Sequence, residues 1–263
     1  MNILAIGDIV GQPGRRAVEM WLPALKAQYS IDFCFANAEN ASGGLGLDEK
    51  CARQLLDAGL DALTLGNHAF AKKQVIELLE ADWPILRPIN GPSDWPGKPY
   101  LVHAGKLPIV LINLSGSVFM DSLDDPFQAI DQWLKSIAEQ KLGKCVIIDF
   151  HAEATAEKTA MGHFLKDRVS AVLGTHTHVQ TADERILGQG TAYITDLGMT
   201  GPSNSVIGMN IESSLRRFTK RLPSRYEIGD GPAVLQGAVI TLDPLCGQAR
   251  SISRVSLQED TTV

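Results

Sequence analysis

The amino-terminal part of the sequence alternates short apolar runs with longer amphipathic stretches, and this alternation constrains the fold more than any other feature. The apolar runs have the length of strands, and a stretch with helical spacing follows each of them. The predicted strands are Ile3–Ile6, Asp32–Ala36 and Asp61–Leu65, and the predicted helices cover about Arg15–Gln28, Asp48–Ala58 and Lys72–Ala81. Strand–helix–strand units place helices on the faces of a sheet, so the pattern predicts an α/β fold.

The rest of the chain continues this alternation after one interruption. Pro84–Pro99, rich in Pro, Gly, Asn and Trp, is predicted to be a connecting loop. Further strands are predicted at Tyr100–His103, Pro108–Asn113, Cys145–Phe150, Val169–Leu173 and Thr191–Thr195, with helices over about Pro126–Gln140 and Thr155–Leu165. Ala233–Leu242 and Ile252–Leu257 alternate apolar and polar residues like a half-exposed antiparallel sheet. We expect a single domain over residues 1–263.

Composition and charge narrow the classes of function. With 263 residues, 44% of them hydrophobic, the chain can bury a large core. Its net charge of −6 leaves no basic excess for long nucleic acid or an anionic membrane, so we expect any nucleotide partner to be small. We expect no signal peptide and no membrane span. The four cysteines are scattered, which indicates a reducing cytoplasm. The sequence is compatible with a monomer or a homo-oligomer.

Side chains of the kinds that bind metals follow several of the predicted strands. They are Asp8, Glu39, Asn40, Asn67, His151, His176 and His178. Ligands distant in sequence can therefore converge at one end of a sheet. In an extended chain, residues two apart point to the same face at roughly 6.5 to 7 Å, so His176 and His178 can each serve one of two neighbouring metals.

Each of these residues also has a purely structural interpretation. Asp8 could cap a turn, Glu39 and Asn40 could begin a helix, and His151 could be a buried core histidine. Together they form a donor set of carboxylate, amide oxygen and imidazole without thiolate. That set suits manganese, iron or zinc better than calcium or a structural zinc. We therefore predict a site for two transition-metal ions.

Two metal ions point to phosphate-ester hydrolysis. Such a pair lowers the pKa of a bound water and neutralises the attacking and leaving oxygens of a phosphoryl group. The leaving alkoxide still needs a general acid, and His68 is the candidate because it directly follows the predicted ligand Asn67.

The glycine-rich segments suggest less specific functions. Gly7–Gly14 follows a strand, but it lacks the Gly-Lys-Ser/Thr ending of a P-loop and the GxGxxG spacing of a dinucleotide fold. Gly43–Gly46 could be a flexible rim of the site or a plain turn. Met199–Asn210 has the composition of a mobile loop.

Several motifs together resemble the calcineurin-like metallophosphoesterases. These are Gly7-Asp8, Gly66-Asn67-His68, His151 and Gly174-Thr175-His176-Thr177-His178. Longer segments, residues 37–41, 151–155 and 175–183, are similar to the YmdB-like branch, and the similarity extends from Asn2 to about Leu242. The resemblance implies a four-layer αββα sandwich of two mixed sheets flanked by helices, with a dinuclear site at the sheet ends. It also implies phosphodiesterase activity, typically on 2′,3′-cyclic nucleotides.

The resemblance also implies roles for individual residues. Asp8, Asn40 and His178 would hold the first metal, Asn67, His151 and His176 the second, and Glu39 would bridge them. Many relatives have Asp-x-His where this chain has Asp8-Ile9-Val10, so Asn40 must replace a ligand. The acidic residue that usually follows the Asn-His pair is Ala69 here. Glu153 is a candidate to supply that charge to His68, or else lies in the first turn of a helix.

Two other functions compete with the phosphodiesterase. One is a metal-dependent regulatory protein that holds nucleotides or RNA ends with little turnover, which the unusual ligand set favours. The other is a metal-dependent amidohydrolase, which would need a carboxylated lysine or an HxH motif on the first strand, where this chain has Asp8 alone.

Overall fold

The computed structural model describes residues 1–104, 108–121, 123–223, 225 and 227–259. The strands, in chain order, are β1 (Asn2–Ile6), β2 (Asp8–Ile9), β3 (Ile31–Asn37), β4 (Ala62–Thr64), β5 (Ile85–Leu86), β6 (Tyr100–His103), β7 (Ile109–Ser115), β8 (Cys145–His151), β9 (Ala171–Thr175), β10 (Arg185–Leu187), β11 (Thr191–Ile194), β12 (Met199–Pro202), β13 (Ala233–Leu242) and β14 (Ala249–Gln258). The helices are α1 (Gly11–Tyr29), α2 (Glu49–Asp57), α3 (Val75–Glu80), α4 (Pro126–Gln140), α5 (Thr155–Phe164) and α6 (Ile211–Lys220).

The strands form two mixed sheets. The larger has the order β2-β12-β13-β1-β3-β4-β5, with β14 also paired to β13, and the smaller has the order β10-β11-β9-β8-β7-β6. β1, β3 and β4 are mutually parallel, as are β7, β8 and β9. The parallel strands of each sheet bring several carboxyl ends to a common edge.

Three apolar clusters define the layers. The cluster between the sheets joins residues such as Ile3 and Phe35 to Leu111 and Ile147. A second cluster packs α1, α2 and α3 on the outer face of the larger sheet, and a third packs α4 and α5 on the outer face of the smaller one. The alternation along each strand explains this arrangement, because successive side chains face opposite layers. The predicted four-layer αββα sandwich is confirmed.

Three predictions about local structure were wrong. β13 is buried on both faces because its alternate side chains pack into the helix layer on one side and the cluster between the sheets on the other, and only β14 has the expected half-exposed pattern. Residues 199–210 do not form one long loop, since β12 pairs with β2 and β13. The helix predicted from Arg15 begins at Gly11 instead, and it takes up most of the glycine-rich segment after Asp8.

Among the described residues, no helix is both long and apolar enough to cross a membrane.

Candidate metal centre

The predicted site residues lie where strands of both sheets end. Asp8 is in β2, Glu39 and Asn40 follow β3, Asn67 and His68 follow β4, His151 ends β8, and His176 and His178 follow β9. In open α/β sheets, the crevice outside the carboxyl ends of the strands is the usual place for a ligand. Here the two sheets contribute to one such crevice.

The first group of donors converges on the ring of His151. Its Nε2 lies 3.0 Å from Asn67 Oδ1, 3.1 Å from Glu39 Oε1 and 3.0 Å from His176 Nδ1. Glu39, His151 and His176 offer donor atoms within 4.8 Å of one another, close enough to hold a metal ion. Three of these side chains are therefore already arranged as a ligand set, with the amide oxygen of Asn67 beside them.

A second group lies around Asp8. Its Oδ2 accepts a hydrogen bond from the backbone N–H of His176 at 3.0 Å, and its Oδ1 is 4.0 Å from His178 Nε2. Asn40 donates its Nδ2 to the carbonyl of Gly44 at 3.1 Å. Among the described residues, neither Asp8 Oδ1 nor Asn40 Oδ1 has a hydrogen-bond partner, although both are buried. Unpartnered buried oxygens are costly, and a cation would satisfy them.

Oxygen atoms fix the orientation of all three candidate histidine ligands. His151 Nδ1 lies 2.9 Å from Thr175 Oγ1, and that hydroxyl donates to Asp149 Oδ1 at 2.7 Å. His176 Nε2 lies 3.1 Å from Glu153 Oε2. His178 Nδ1 lies 2.8 Å from the carbonyl of Ile207. In each ring the other nitrogen faces the candidate site, which is how metal-binding histidines are usually held.

His68 borders both groups and is partly exposed. Its Nδ1 lies 3.2 Å from Glu39 Oε1 and 3.2 Å from Asn40 Nδ2, and its backbone N–H donates to Glu39 Oε2 at 3.0 Å. The suggestion that Glu153 supplies a charge to His68 was wrong, because Glu153 pairs with His176. The carboxylate beside His68 is Glu39.

Burial and neighbouring charges shift the pKa values of the site in different directions. Burial raises the pKa of Asp8 to about 6, against the opposite effect of nearby imidazoles. Burial would also raise the pKa of Glu39, but the charge and hydrogen bond of His151 hold it well below its usual range. Burial lowers the pKa of His151, yet Glu39 and Asp8 outweigh it and raise the value to about 9. Burial and then His151 lower the pKa of His176 to about 3, so this imidazole is neutral, as a ligand must be.

Two glycines allow the chain to pass close to the site. A Cβ at Gly66 would collide with the His151 ring and the Glu39 carboxylate. A Cβ at Gly7 would collide with the carbonyl of Gly198. Both strand ends therefore require a residue without a side chain.

Sequence analysis missed the buried polar residues that support the predicted ligands. Asp149, Thr175, Lys158 and Asp196 are all buried next to the ligand-bearing segments. Asp149 interrupts an apolar run and Asp196 directly follows the predicted strand Thr191–Thr195, and a position after a predicted strand also selected Asp8. Lys158 lies in a helix and carries no comparable signal.

Comparison with known proteins identifies the family of this chain. Residues 4–255 match the family described as YmdB-like protein. A relative from Bacillus subtilis (strain 168), named 2′,3′-cyclic-nucleotide 2′-phosphodiesterase, is 45% identical over 262 residues, which cover 99% of this chain and 98% of that protein.

Two solved structures have the same fold over almost the whole chain. A hypothetical protein from Thermus thermophilus has a TM-score of 0.92 at 41% identity, covering 99% of this chain and 100% of its own. A structure from Mycoplasma pneumoniae described as a novel phosphatase has a TM-score of 0.93 at 32% identity, covering 100% and 95%. Fold and relatives together define an enzyme of the phosphodiesterase and phosphatase class. Within that class, the chain belongs to the YmdB-like family.

Proposed function

We propose that this enzyme hydrolyses small phosphodiesters at a centre of two metal ions, and that 2′,3′-cyclic nucleotides are its substrates. One observation carries the proposal: donor groups from both sheets converge at one crevice, where the buried atoms Asp8 Oδ1 and Asn40 Oδ1 lack partners among the described residues. The name of the Bacillus subtilis relative, at 45% identity, supports the choice of substrate.

The residues divide into two ligand sets with one shared carboxylate. Asp8, Asn40 and His178 would hold the first ion, and Asn67, His151 and His176 the second. Glu39 would serve both, because its Oε1 lies 3.1 Å from His151 Nε2 while the carboxylate also contacts His68 on the side of Asn40.

The donor types restrict the metal. Amide and carboxylate oxygens with imidazole nitrogens suit iron, manganese or zinc, and no cysteine lies in either set. When bound, two such ions supply an activated water and positive charge for the phosphoryl oxygens.

His68 is the proposed general acid. Its ring is partly exposed, and its Nδ1 lies 3.2 Å from Glu39 Oε1, so the carboxylate holds the ring at the edge of the proposed centre. The proton would go to the leaving ribose oxygen, which departs poorly as an alkoxide. Through its backbone N–H and ring contacts with Glu39, His68 also keeps the shared carboxylate in place.

Activity and metal content test this function together. Protein freed of metal and reloaded with Mn²⁺ is assayed on a 2′,3′-cyclic and a 3′,5′-cyclic nucleotide, and its bound ions are counted by elemental analysis. We expect two ions per chain and preferential hydrolysis of the 2′,3′-cyclic substrate. His176→Ala should lose activity, whereas the matched control His163→Ala, at an exposed position of α5, should not.

Two results would contradict the proposal. Full activity in chelator with one ion or none would exclude a dinuclear centre. Two bound ions with tight nucleotide binding and no turnover would instead indicate a regulatory binding protein, which the amide ligand Asn40 in place of an imidazole also favours.

A further inference from the structure

A buried ion pair lies behind the segment that carries His176 and His178. Lys158 of α5 is 1% exposed and Asp196, after β11, is 0% exposed. Lys158 Nζ lies 2.6 Å from Asp196 Oδ2. Neither residue belongs to the proposed ligand sets or contacts an imidazole in the hydrogen bonds described.

The pair binds the backbone of the histidine segment at two points. Lys158 Nζ donates to the carbonyl of Thr175 at 2.6 Å. Asp196 Oδ2 accepts from the N–H of Thr177 at 3.1 Å and from its hydroxyl at 2.8 Å. The other oxygen, Oδ1, accepts from the N–H of Gly198 at 2.8 Å. The ion pair thus holds the residues on either side of His176.

The two histidines need such support because of their backbone conformation. His176 has φ of 100° and His178 has φ of 64°, in the region that residues with a side chain rarely adopt. A turn of this kind re-aims both rings compared with an extended chain, in which they would face the same side. Strained backbone at a site persists only where surrounding contacts enforce it.

We propose that Lys158 and Asp196 are positioning residues that preset the Thr175–His178 segment for two metal ions. The inference rests on the proposed dinuclear function. Because His176 and His178 belong to different ligand sets, loss of the pair weakens binding of both ions. A residue that orients a single ring, such as Glu153 beside His176, would affect mainly one.

A purely structural role for the pair makes a different prediction. Buried ion pairs often contribute little net stability, and replacing both partners by apolar residues is often neutral. Metal affinity and fold stability can therefore be separated with variants that remove both charges together, so that the net charge near the site is unchanged.

Two double variants make the comparison. Lys158→Met with Asp196→Leu removes the carboxylate oxygen that accepts from the N–H and the hydroxyl of Thr177. Lys158→Met with Asp196→Asn keeps one side-chain oxygen as an acceptor. Metal-free protein is titrated with Mn²⁺, free Mn²⁺ is followed by electron paramagnetic resonance, and unfolding of the metal-free protein is measured in urea. Lys135→Met, which removes the lysine of an exposed pair with Asp131, is the control for loss of a lysine charge.

We expect the Leu-containing variant to bind both ions about 10- to 100-fold more weakly, the usual effect of losing a group that supports ligands. The Asn-containing variant should recover part of that affinity, and Lys135→Met should match the parent. Parent-like affinity in the Leu-containing variant would overturn the inference. So would an affinity loss reproduced by Ile137→Val, a core change in α4 distant in sequence from the segment.

Two further outcomes also have a definite meaning. If the Leu-containing variant does not fold, the Asn-containing variant decides alone: weaker binding of both ions supports the inference and parent-like binding overturns it. If the parent itself binds no Mn²⁺, the proposed function fails too. If the parent binds Mn²⁺ and hydrolyses its substrate, and the double variant binds both ions as tightly as the parent, only the positioning role is refuted.

Discussion

At the scale of single residues, substitutions of His68 can separate the proposed proton transfer from metal binding. We expect His68→Ala to retain both metals and to lower kcat by roughly 10² to 10⁴ on a 2′,3′-cyclic nucleotide, because a ribose oxygen needs a proton to leave. The loss of kcat should be smaller on bis-p-nitrophenyl phosphate, because p-nitrophenolate departs without being protonated. Parallel kcat and metal measurements on both substrates provide the test.

A second variant controls for the contacts of His68. His68→Asn places an amide nitrogen near the position of Nδ1, so it can keep the contact with Glu39 while lacking an acid. It should lose as much activity on the cyclic nucleotide as His68→Ala. Equal losses on both substrates, with depleted metal, would make His68 a structural residue.

The shared carboxylate gives the next prediction. Glu39→Gln should lower occupancy of both metals, because an amide neither neutralises nor bridges two cations as a carboxylate does. His178→Ala should chiefly empty the first position, since its Nε2 faces Asp8 Oδ1. Elemental analysis after dialysis against limiting Mn²⁺ distinguishes the two patterns. Parent-like metal content in Glu39→Gln would exclude Glu39 as the bridge.

The candidate site residues that the sequence could single out were those with a positional signal. Asp8, Asn67 and His151 follow or end apolar runs, and the HxH spacing marks the histidine pair. The contacts of Glu153 could not be predicted, because its partner depends on how α5 and the β9 segment meet in space. For the same reason, the left-handed backbone of His176 and His178 was not expected from an extended-strand argument.

At the scale of elements, the start of α2 depends on Asp48. Its carboxylate accepts from the N–H of Cys51 at 2.9 Å and from the Ser42 hydroxyl, and it lies 3.5 Å from Lys72 Nζ. These contacts tie the Gly43–Gly46 turn to the helix. Asp48→Ala should lower the free energy of unfolding by about 0.5–2 kcal/mol, the usual cost of losing such a cap. Urea unfolding of both proteins measures it.

The same cap predicts a pH dependence. Burial opposes ionisation of Asp48, but hydrogen bonds from Ser42 and Cys51 outweigh it and lower the pKa from 3.8 to about 2. A lowered carboxyl pKa adds stability above the unfolded value, which is lost as the pH falls through the folded value. The Asp48→Ala difference should therefore shrink between about pH 4 and about pH 2. Asp48→Asn, which can cap the helix without a titrating group, is the control. If the difference in unfolding free energy between the parent and Asp48→Ala stays constant down to pH 2, the pH dependence does not come from Asp48.

Most long elements were predictable, and the short or exposed ones were not. α4 and β13 have the predicted bounds, because turn residues and strong periodicity mark their ends. β2 and β12 are too short for any periodicity and exist through pairing with each other. The structure describes all of α6, and none of its residues is buried. Its apolar residues therefore do not form the buried face by which a helix packed on a sheet is recognised in sequence.

At the scale of the whole molecule, net charge limits the substrate. A net charge of −6 disfavours long polyanions, whose binding draws on clustered Lys and Arg and weakens steeply with salt. We expect no tight binding of long single-stranded RNA at physiological salt, measured by fluorescence anisotropy. A 2′,3′-cyclic nucleotide is the positive control. Tight binding that is independent of RNA sequence would contradict the prediction.

Metal binding should also stabilise the folded chain, because the proposed ligands come from both sheets. A ligand that binds only the native state adds about 2.7 kcal/mol at a concentration 100 times its Kd. We expect the Mn²⁺-loaded protein to unfold at higher urea concentration than the chelated protein. The difference should be reduced in Glu39→Gln. Identical midpoints with and without Mn²⁺ would mean that the centre is not formed by these residues.

The position of β13 has a consequence for how the enzyme is made. The backbone N–H of Gly7 bonds to Gln236 in β13, and that of Asp8 bonds to Gly198, so residues from the beginning of the chain are anchored by residues synthesised much later. In the strand order of the larger sheet, β13 lies between β1 and β12, and β12 in turn pairs with β2. On the ribosome, Gly7, the residue before Asp8, is therefore without its final backbone partner until the segment Ala233–Leu242 has emerged. We therefore expect the proposed first metal position to bind an ion only after this segment has joined the larger sheet.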